Sequence, residues 1–359
     1  MNLMANNYVI SGISAITSIG ANAAQTCTAA NAEIIGASIH PLYRCKPLYP
    51  EDEKALPLYC NQVPFIDAAQ SGAERLLQLA VPALREAVGH ALVDDAWLPH
   101  TKFLLALPRL DQISAGWGLE NAFVPALCQR SGVYPVASSH VIFGDRTRVF
   151  ELLAEACKAL DQGECDICIV GGVDSYLFKH RLDALHLNGL LRSKKNVDGL
   201  IPGEAASFIV VEREENALQR GVKPIARVSG IGFSSEINSA ETGKKSSGVG
   251  LTMAIRQAAT ALTLPAKIVY SDLNGESYSA FEWGLAQVRT AEHLYSPFEL
   301  RHPAQNYGDT GAATGALLLT LAAYDLKPDE YRKSAKYPVL LFATSITGAR
   351  VAAVLTSME

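Results

Sequence analysis

The sequence predicts an α/β fold made of two similar halves, and three observations predict it. Short β-rich runs alternate with longer helical patterns along the 359 residues, which is the signature of an α/β chain. The two halves pass through the same elements in the same order. One helix in each half is apolar around much of its circumference, so each needs a covered position between layers.

Taken in order, Tyr8–Ile13 reads as the opening strand and is matched by Ala226–Gly232. A helix over Glu74–Val88 is matched by Leu251–Ala261, and the strand Phe103–Leu107 by Ile268–Leu273. The helix Thr147–Leu160 is matched by Gly311–Tyr324, the strand Ile167–Val170 by Val339–Phe342, and Ala206–Val211 by Val351–Leu355. In the first of those helices Val149, Leu152, Leu153, Ala156, Cys157 and Leu160 recur at helical spacing. In the second, Ala312, Ala313, Ala316, Leu319 and Leu321 are small or apolar, which permits close packing. The charged stretch Arg213–Pro224 is the expected junction, giving halves 1–218 and 219–359. Residues 37–67, with several prolines and tyrosines, read as an irregular insertion over one face.

Composition narrows the function classes. Hydrophobic content of 49% with 19% charged residues describes an ordinary globular protein. A net charge of −5 supplies no basic footprint for nucleic acid. No run approaches the ~18 apolar residues that span a bilayer, and Met1–Asn7 lacks the basic and apolar regions of a signal peptide. The expectation is a cytoplasmic protein. Seven scattered cysteines do not make a disulfide framework. Cys165 and Cys168 form a Cys-x-x-Cys, but it enters an apolar strand and has no second pair at zinc-like spacing. These thiols are expected to pack as small hydrophobes, and no metal or cofactor is expected.

Four segments carry a resemblance. They are Val9–Gly20, Gly163–Asp174 with its Val170-Gly-Gly-Val-Asp174, Asp198–Glu212 with its Pro202-Gly-Glu204 turn, and Gly308–Leu317. In this order, and with the internal duplication, the chain resembles the β-ketoacyl synthase branch of the thiolase superfamily. The resemblance implies the thiolase fold, duplicated α/β halves packed as a five-layer αβαβα sandwich. It also implies a chemistry of one nucleophilic cysteine and two histidines, acting on acyl thioesters.

None of the three is expected at its place here. The resemblance puts Arg146, within Gly144–Thr147, at the nucleophile position, and a slip of one residue gives Asp145 or Thr147. Cys157 falls inside the following helix on its apolar side. Asn274, in Asp272–Glu276, stands at the first histidine and Asp309 at the second. The lysine that usually precedes the second histidine is missing, with Ala304 nearest its place. The glycine-rich turn reads Ala343–Arg350 and contributes Ser345.

The candidate pocket is therefore Asp145, Arg146, Thr147, Asn274, Glu276, Asp309 and Ser345. An Arg146–Asp309 pair would neutralise two buried charges; the alternative is a polar pocket that binds a carboxylate or amide through Arg146, with Asn274 and Glu276 orienting it. Asp145 also suits an N-cap for the next helix. Asp174–Tyr176 reads as a packed loop, and Pro202–Glu204 as a turn without chemistry. The basic run of Lys179, His180, Arg181, Arg192, Lys194 and Lys195 reads as a solvated face, with docking of an acidic carrier protein as the other reading.

The resemblance implies a ketosynthase-like protein that is inactive in condensation and acts as a binding partner, scaffold or adaptor, as chain-length-factor subunits do. The alternative is an acyltransferase or hydrolase of fatty-acid or polyketide-type metabolism that uses a non-cysteine pocket. Relatives form two-fold dimers through the strand before the nucleophile, here Ser139–Phe143. The implied state is a homodimer, or a heterodimer with an active ketosynthase, with acyl carrier protein as a further partner.

Overall fold

Ten strands join into one mixed sheet whose order repeats, and this repetition positions everything else. The computed structural model describes residues 7–46, 55–91, 93–94, 96–113, 117–135, 138–193, 196–327 and 337–358. The first half contains β1 (Tyr8–Ile13), α1 (Ala23–Asn31), β2 (Ser38–Cys45), β3 (Leu56–Cys60), α2 (Gly72–His90), β4 (Thr101–Pro108) and α3 (Phe123–Ser131). It continues with β5 (Ser138–Gly144), α4 (Arg148–Gln162), β6 (Ile167–Ser175), α5 (Lys179–Leu187), β7 (Glu204–Arg213) and α6 (Glu214–Gln219). The second half contains β8 (Ala226–Ser235), α7 (Val249–Ala258), β9 (Ala266–Ser271), α8 (Ser277–Arg289), β10 (Leu294–Arg301) and α9 (Ala304–Tyr307). It ends with α10 (Thr314–Leu326), β11 (Val339–Thr344) and β12 (Ala349–Ser357).

The sheet order is β10-β9-β11-β12-β8-β1-β7-β6-β4-β5. Counting main-sheet strands within each half, both blocks run third, second, fourth, fifth, first. The pairings match as well. β4 is parallel to β5 and β6, as β9 is to β10 and β11, while β7 and β12 are antiparallel to both of their neighbours. The blocks meet through the antiparallel β1–β8 contact at Val9–Arg227 and Ile10–Ala226.

Three apolar cores separate the layers. Leu76, Leu79, Leu84, Phe123 and Leu127 of α2 and α3 cover the outer face of the first block. Leu251, Ile255 and Trp283 of α7 and α8 cover that of the second. Between the blocks, α4 and α10 pack against strands of both, placing Leu153 and Leu317 in one core with Val170, Val211, Leu341 and Val351. The result is helices, sheet, helices, sheet, helices. As its composition requires, α10 is buried from Thr314 to Ala323.

Three local expectations are corrected, the third at one residue. Within the stretch expected to be irregular, the described residues form an antiparallel hairpin, β2–β3, and residues 47–54 lie outside the described residues. His40, Tyr43, Leu58 and Cys60 turn inward from it: Leu58 and Cys60 alternate along β3, a register irregularity between Ile39 and Arg44 lets both His40 and Tyr43 face inward, and the strand prolines Pro41 and Pro57 stay exposed. Asp174 and Ser175 are the buried end of β6 rather than a loop, because the Arg181 guanidinium and the backbone N–H of Ala312 satisfy Asp174. In the basic run Lys179, His180 and Arg192 are exposed, as a solvated face requires, and Arg181 is the exception. Arg181 is buried on Asp174, Lys179 is paired with Asp183, and His180 stacks on Phe178; Lys194 and Lys195 lie outside the described residues.

Candidate functional site

The site forms where chain segments leave the carboxyl ends of β5, β9 and β11, the usual place for a site in open parallel sheets. Arg146 lies two residues ahead of α4, Asp272 directly follows β9, and Thr344 closes β11. Asp309 arrives on the loop ahead of α10. The Pro202-Gly203 turn holds that loop: the Gly203 N–H donates to the Asp309 carbonyl at 2.9 Å, and the Asp309 N–H to the Ile201 carbonyl at 2.8 Å. A side chain on Gly203 would lie 2.3 Å from the Tyr307 carbonyl, and Gly308 adopts φ +77°, so both positions need glycine. The turn therefore does more than reverse the chain; it places Asp309.

At the centre is the Arg146 guanidinium, almost fully buried. Its nitrogens lie 3.4 Å from Asp309 Oδ2, 3.5 Å from Asp272 Oδ2 and 3.9 Å from Glu276 Oε2. Asn274 Nδ2 donates to both Glu276 Oε2 and Asp309 Oδ2 at 2.8 Å. Asp309 Oδ1 accepts the Gly311 N–H at 2.9 Å. Asp272 Oδ2 accepts the N–H and hydroxyl of Thr344 at 2.7 and 2.9 Å, while its Oδ1 is buried without a partner.

Burial opposes charge on Arg146, but Asp309, Asp272 and Glu276 outweigh it and hold the guanidinium protonated. Burial pushes the Asp272 carboxyl up to about 6, against the pull of Arg146. Because the dipole at the start of α4 also disfavours a cation, the surrounding carboxylates are what make an arginine tolerable there.

The seven predicted residues divide into two groups. Arg146, Asn274, Glu276 and Asp309 share one network. Asp145 turns away from it to accept the Ser345 hydroxyl, and also accepts the Thr147 hydroxyl at 3.2 Å. As an N-cap Asp145 is poor: α4 starts at Arg148 with Thr147 as its cap residue, and only a 3.5 Å contact from the Thr147 N–H reaches the Asp145 carboxylate. Sequence reasoning did not single out Asp272 or Thr344. The available signal was a carboxylate directly after a parallel strand, but nothing local announced that Thr344 would meet it.

A cavity lined by Arg146, Asp272, Tyr307, Asp309 and Thr314 measures about 10 Å³, room for about one water. Cys157 is fully buried in the middle core, and burial pushes its thiol up to about 12. Among the described residues, no group of three or more His, Cys, Asp or Glu is arranged to hold a metal ion. None of the described helices is long and apolar enough to cross a membrane.

Residues 149–217 match the family described as Beta-ketoacyl synthase, N-terminal domain. The polyketide biosynthesis malonyl-ACP decarboxylase PksF of Bacillus subtilis (strain 168) is 37% identical over 89 residues, 21% of this chain and 21% of that protein. The chain thus aligns with about a fifth of the length of that curated relative. Among solved structures, a type II polyketide synthase acyl carrier protein in complex with its ketosynthase, AntDE:AntF, gives a TM-score of 0.77 at 14% identity, covering 99% of this chain and 100% of that one. The ishigamide ketosynthase/chain length factor gives 0.75 at 17% identity, covering 98% and 100%. With the duplicated topology and the matched domain, the chain is β-ketoacyl-synthase-like, a thiolase-type fold with that family's N-terminal region recognisable from Val149 to Ala217.

Proposed function

We propose that this protein does not condense acyl groups and acts by binding, as a partner or scaffold for ketosynthase machinery. The supporting observation is Arg146. A guanidinium held among three carboxylates sits at the position that the resemblance assigns to the family's thiol, and the cavity beside it measures about 10 Å³. A guanidinium stays protonated and has no lone pair to attack a thioester. Asp309, which the resemblance assigns to the second histidine position, presents an acceptor carboxyl where an oxyanion would need a donor.

The partner reading takes support from two structural neighbours, one a ketosynthase with its carrier protein and one a ketosynthase/chain length factor. β5, which includes Ser139–Phe143, is an outer edge of the sheet with Ser138–His140 exposed, so it is free to pair across a two-fold axis. The proposed state is a homodimer or a heterodimer with an active ketosynthase.

The other reading, acyl transfer or hydrolysis from a non-cysteine pocket, would draw on Asp272 with its raised carboxyl and unpaired Oδ1. It also needs space for a substrate beside that carboxyl, where the cavity among the described residues measures about 10 Å³.

The test is incubation with acyl-CoA and acyl-carrier substrates, followed by intact mass and product measurement. No adduct and no turnover is the expected result. A stable acyl adduct, mapped to a residue, would overturn the reading, and product without adduct would favour the Asp272 pocket. Light scattering on a stable monomer, with no retention of an active ketosynthase, would remove the partner role.

A further inference from the structure

A second cavity lies away from the Arg146 network, under the β2–β3 hairpin and against α5. It measures about 540 Å³, within the range of small-molecule pockets. Leu177, Phe178 and Leu182, all buried in the fold, give it an apolar floor. Among the described residues, Arg44, Lys46 and Lys179 stand on its wall with one acid, Asp183, which accepts the Tyr43 hydroxyl at 2.8 Å and pairs with Lys179; one Arg44 nitrogen donates to the carbonyls of His40 and Tyr43 at 2.7 and 2.8 Å.

The telling residue is His40, which lines this cavity and is only 4% exposed. Its Nδ1 accepts the backbone N–H of Leu42 at 3.1 Å and of Tyr43 at 2.9 Å. Those two bonds assign the ring proton to Nε2. Burial lowers the affinity of the ring for a second proton, which keeps it neutral. Nε2–H finds no acceptor among the described residues. The Nε2 atom is reachable and not sealed in the core, so its donor is open to an acceptor that enters the cavity.

We propose that this cavity is a binding site for a small amphipathic carboxylate, with the apolar body on Leu177, Phe178 and Leu182 and the carboxylate accepting the His40 Nε2–H beside Arg44 and Lys46. The apolar floor sets the tail chemistry, and among the described lining residues the excess of cations over Asp183 sets the sign of the head group. The site is independent of the Arg146 network, so failure of either reading leaves the other standing.

The experiment is calorimetric titration of the full chain with sodium octanoate, n-octanol and octylamine. Octanoate is expected to bind saturably at one site, about tenfold or more tighter than octanol, with no binding of octylamine. His40→Asn keeps an acceptor for the two backbone N–H groups and removes the deep donor. It is expected to weaken octanoate about tenfold and leave octanol unchanged. Ala68→Leu, on the cavity wall, should weaken both probes with the melting temperature retained. Equal binding of octanoate and octanol by the unaltered protein would overturn the carboxylate assignment. Binding undiminished in both variants, or no saturation at millimolar octanoate, would overturn the site.

Discussion

Two buried arginines, Arg75 and Arg146, meet their carboxylates in opposite ways. Arg75 grips Glu204 through two bonds of 2.6 and 2.8 Å, and its remaining nitrogen donates to the carbonyls of Asp67 and Gln70 at 2.9 Å. Glu204 is completed by the Val63 N–H at 2.9 Å and the Ser175 hydroxyl at 2.8 Å. Arg146 has three carboxylates around it but none nearer than 3.4 Å, and one of them, Asp272, keeps an oxygen unpaired. The first is a finished bidentate lock between α2 and the start of β7. The second is a balance of charge with residual polar demand, which is the condition of a site position and not of a core brace.

The contrast can be broken by substitution. Arg75→Met leaves Glu204 as a buried carboxylate without its cation and is expected to cost about 3–5 kcal/mol, the largest effect here. Arg146→Met is expected to cost less, about 1–3 kcal/mol, because Glu276 is partly solvated and Asp272 accepts a proton readily. Urea unfolding of the two variants measures both, and equal losses would erase the distinction between lock and balance.

Acidity sharpens it next. The folded-state carboxyl of Asp272 is raised to about 6 from an ordinary 3.8, so the folded protein holds a proton that the unfolded chain releases between those values. This group therefore adds stability below about pH 4 that is lost as pH rises through about 6, in total about 3 kcal/mol. Asp272→Asn should remove that slope from the difference between the two stability profiles. Parallel profiles for the variant and the unaltered protein would show that Asp272 titrates normally. The smallest effect is expected at Asn274→Leu, which strips the bridge between Glu276 and Asp309. A loss of about 1 kcal/mol in the same unfolding measurement is the expected outcome, and no loss would mean that Arg146 and the Gly311 N–H hold Asp309 without Asn274.

Arg146, Asn274 and Asp309 were legible as a group because the resemblance assigns them to motif positions on an order of elements that local patterns reveal. Asp145 and Ser345 were legible as neighbours but not as partners, since their hydrogen bond joins residues 200 apart in the chain. The same limit applies to the His40 donor. Its freedom depends on a hairpin turning its ring inward against α5, and no spacing in the sequence encodes that.

The sequence by itself determined the α/β class, the duplicated order, the buried middle helices and the absence of a thiol at the start of α4, because each follows from periodicity or residue identity within a short span. Only the tertiary structure decided which carboxylates share Arg146, that Asp272 is among them with an oxygen to spare, and that a cavity opens under β2–β3. Those outcomes are set by how segments far apart in the chain are brought within 3–4 Å, where burial and pairing, and not local pattern, govern the energy.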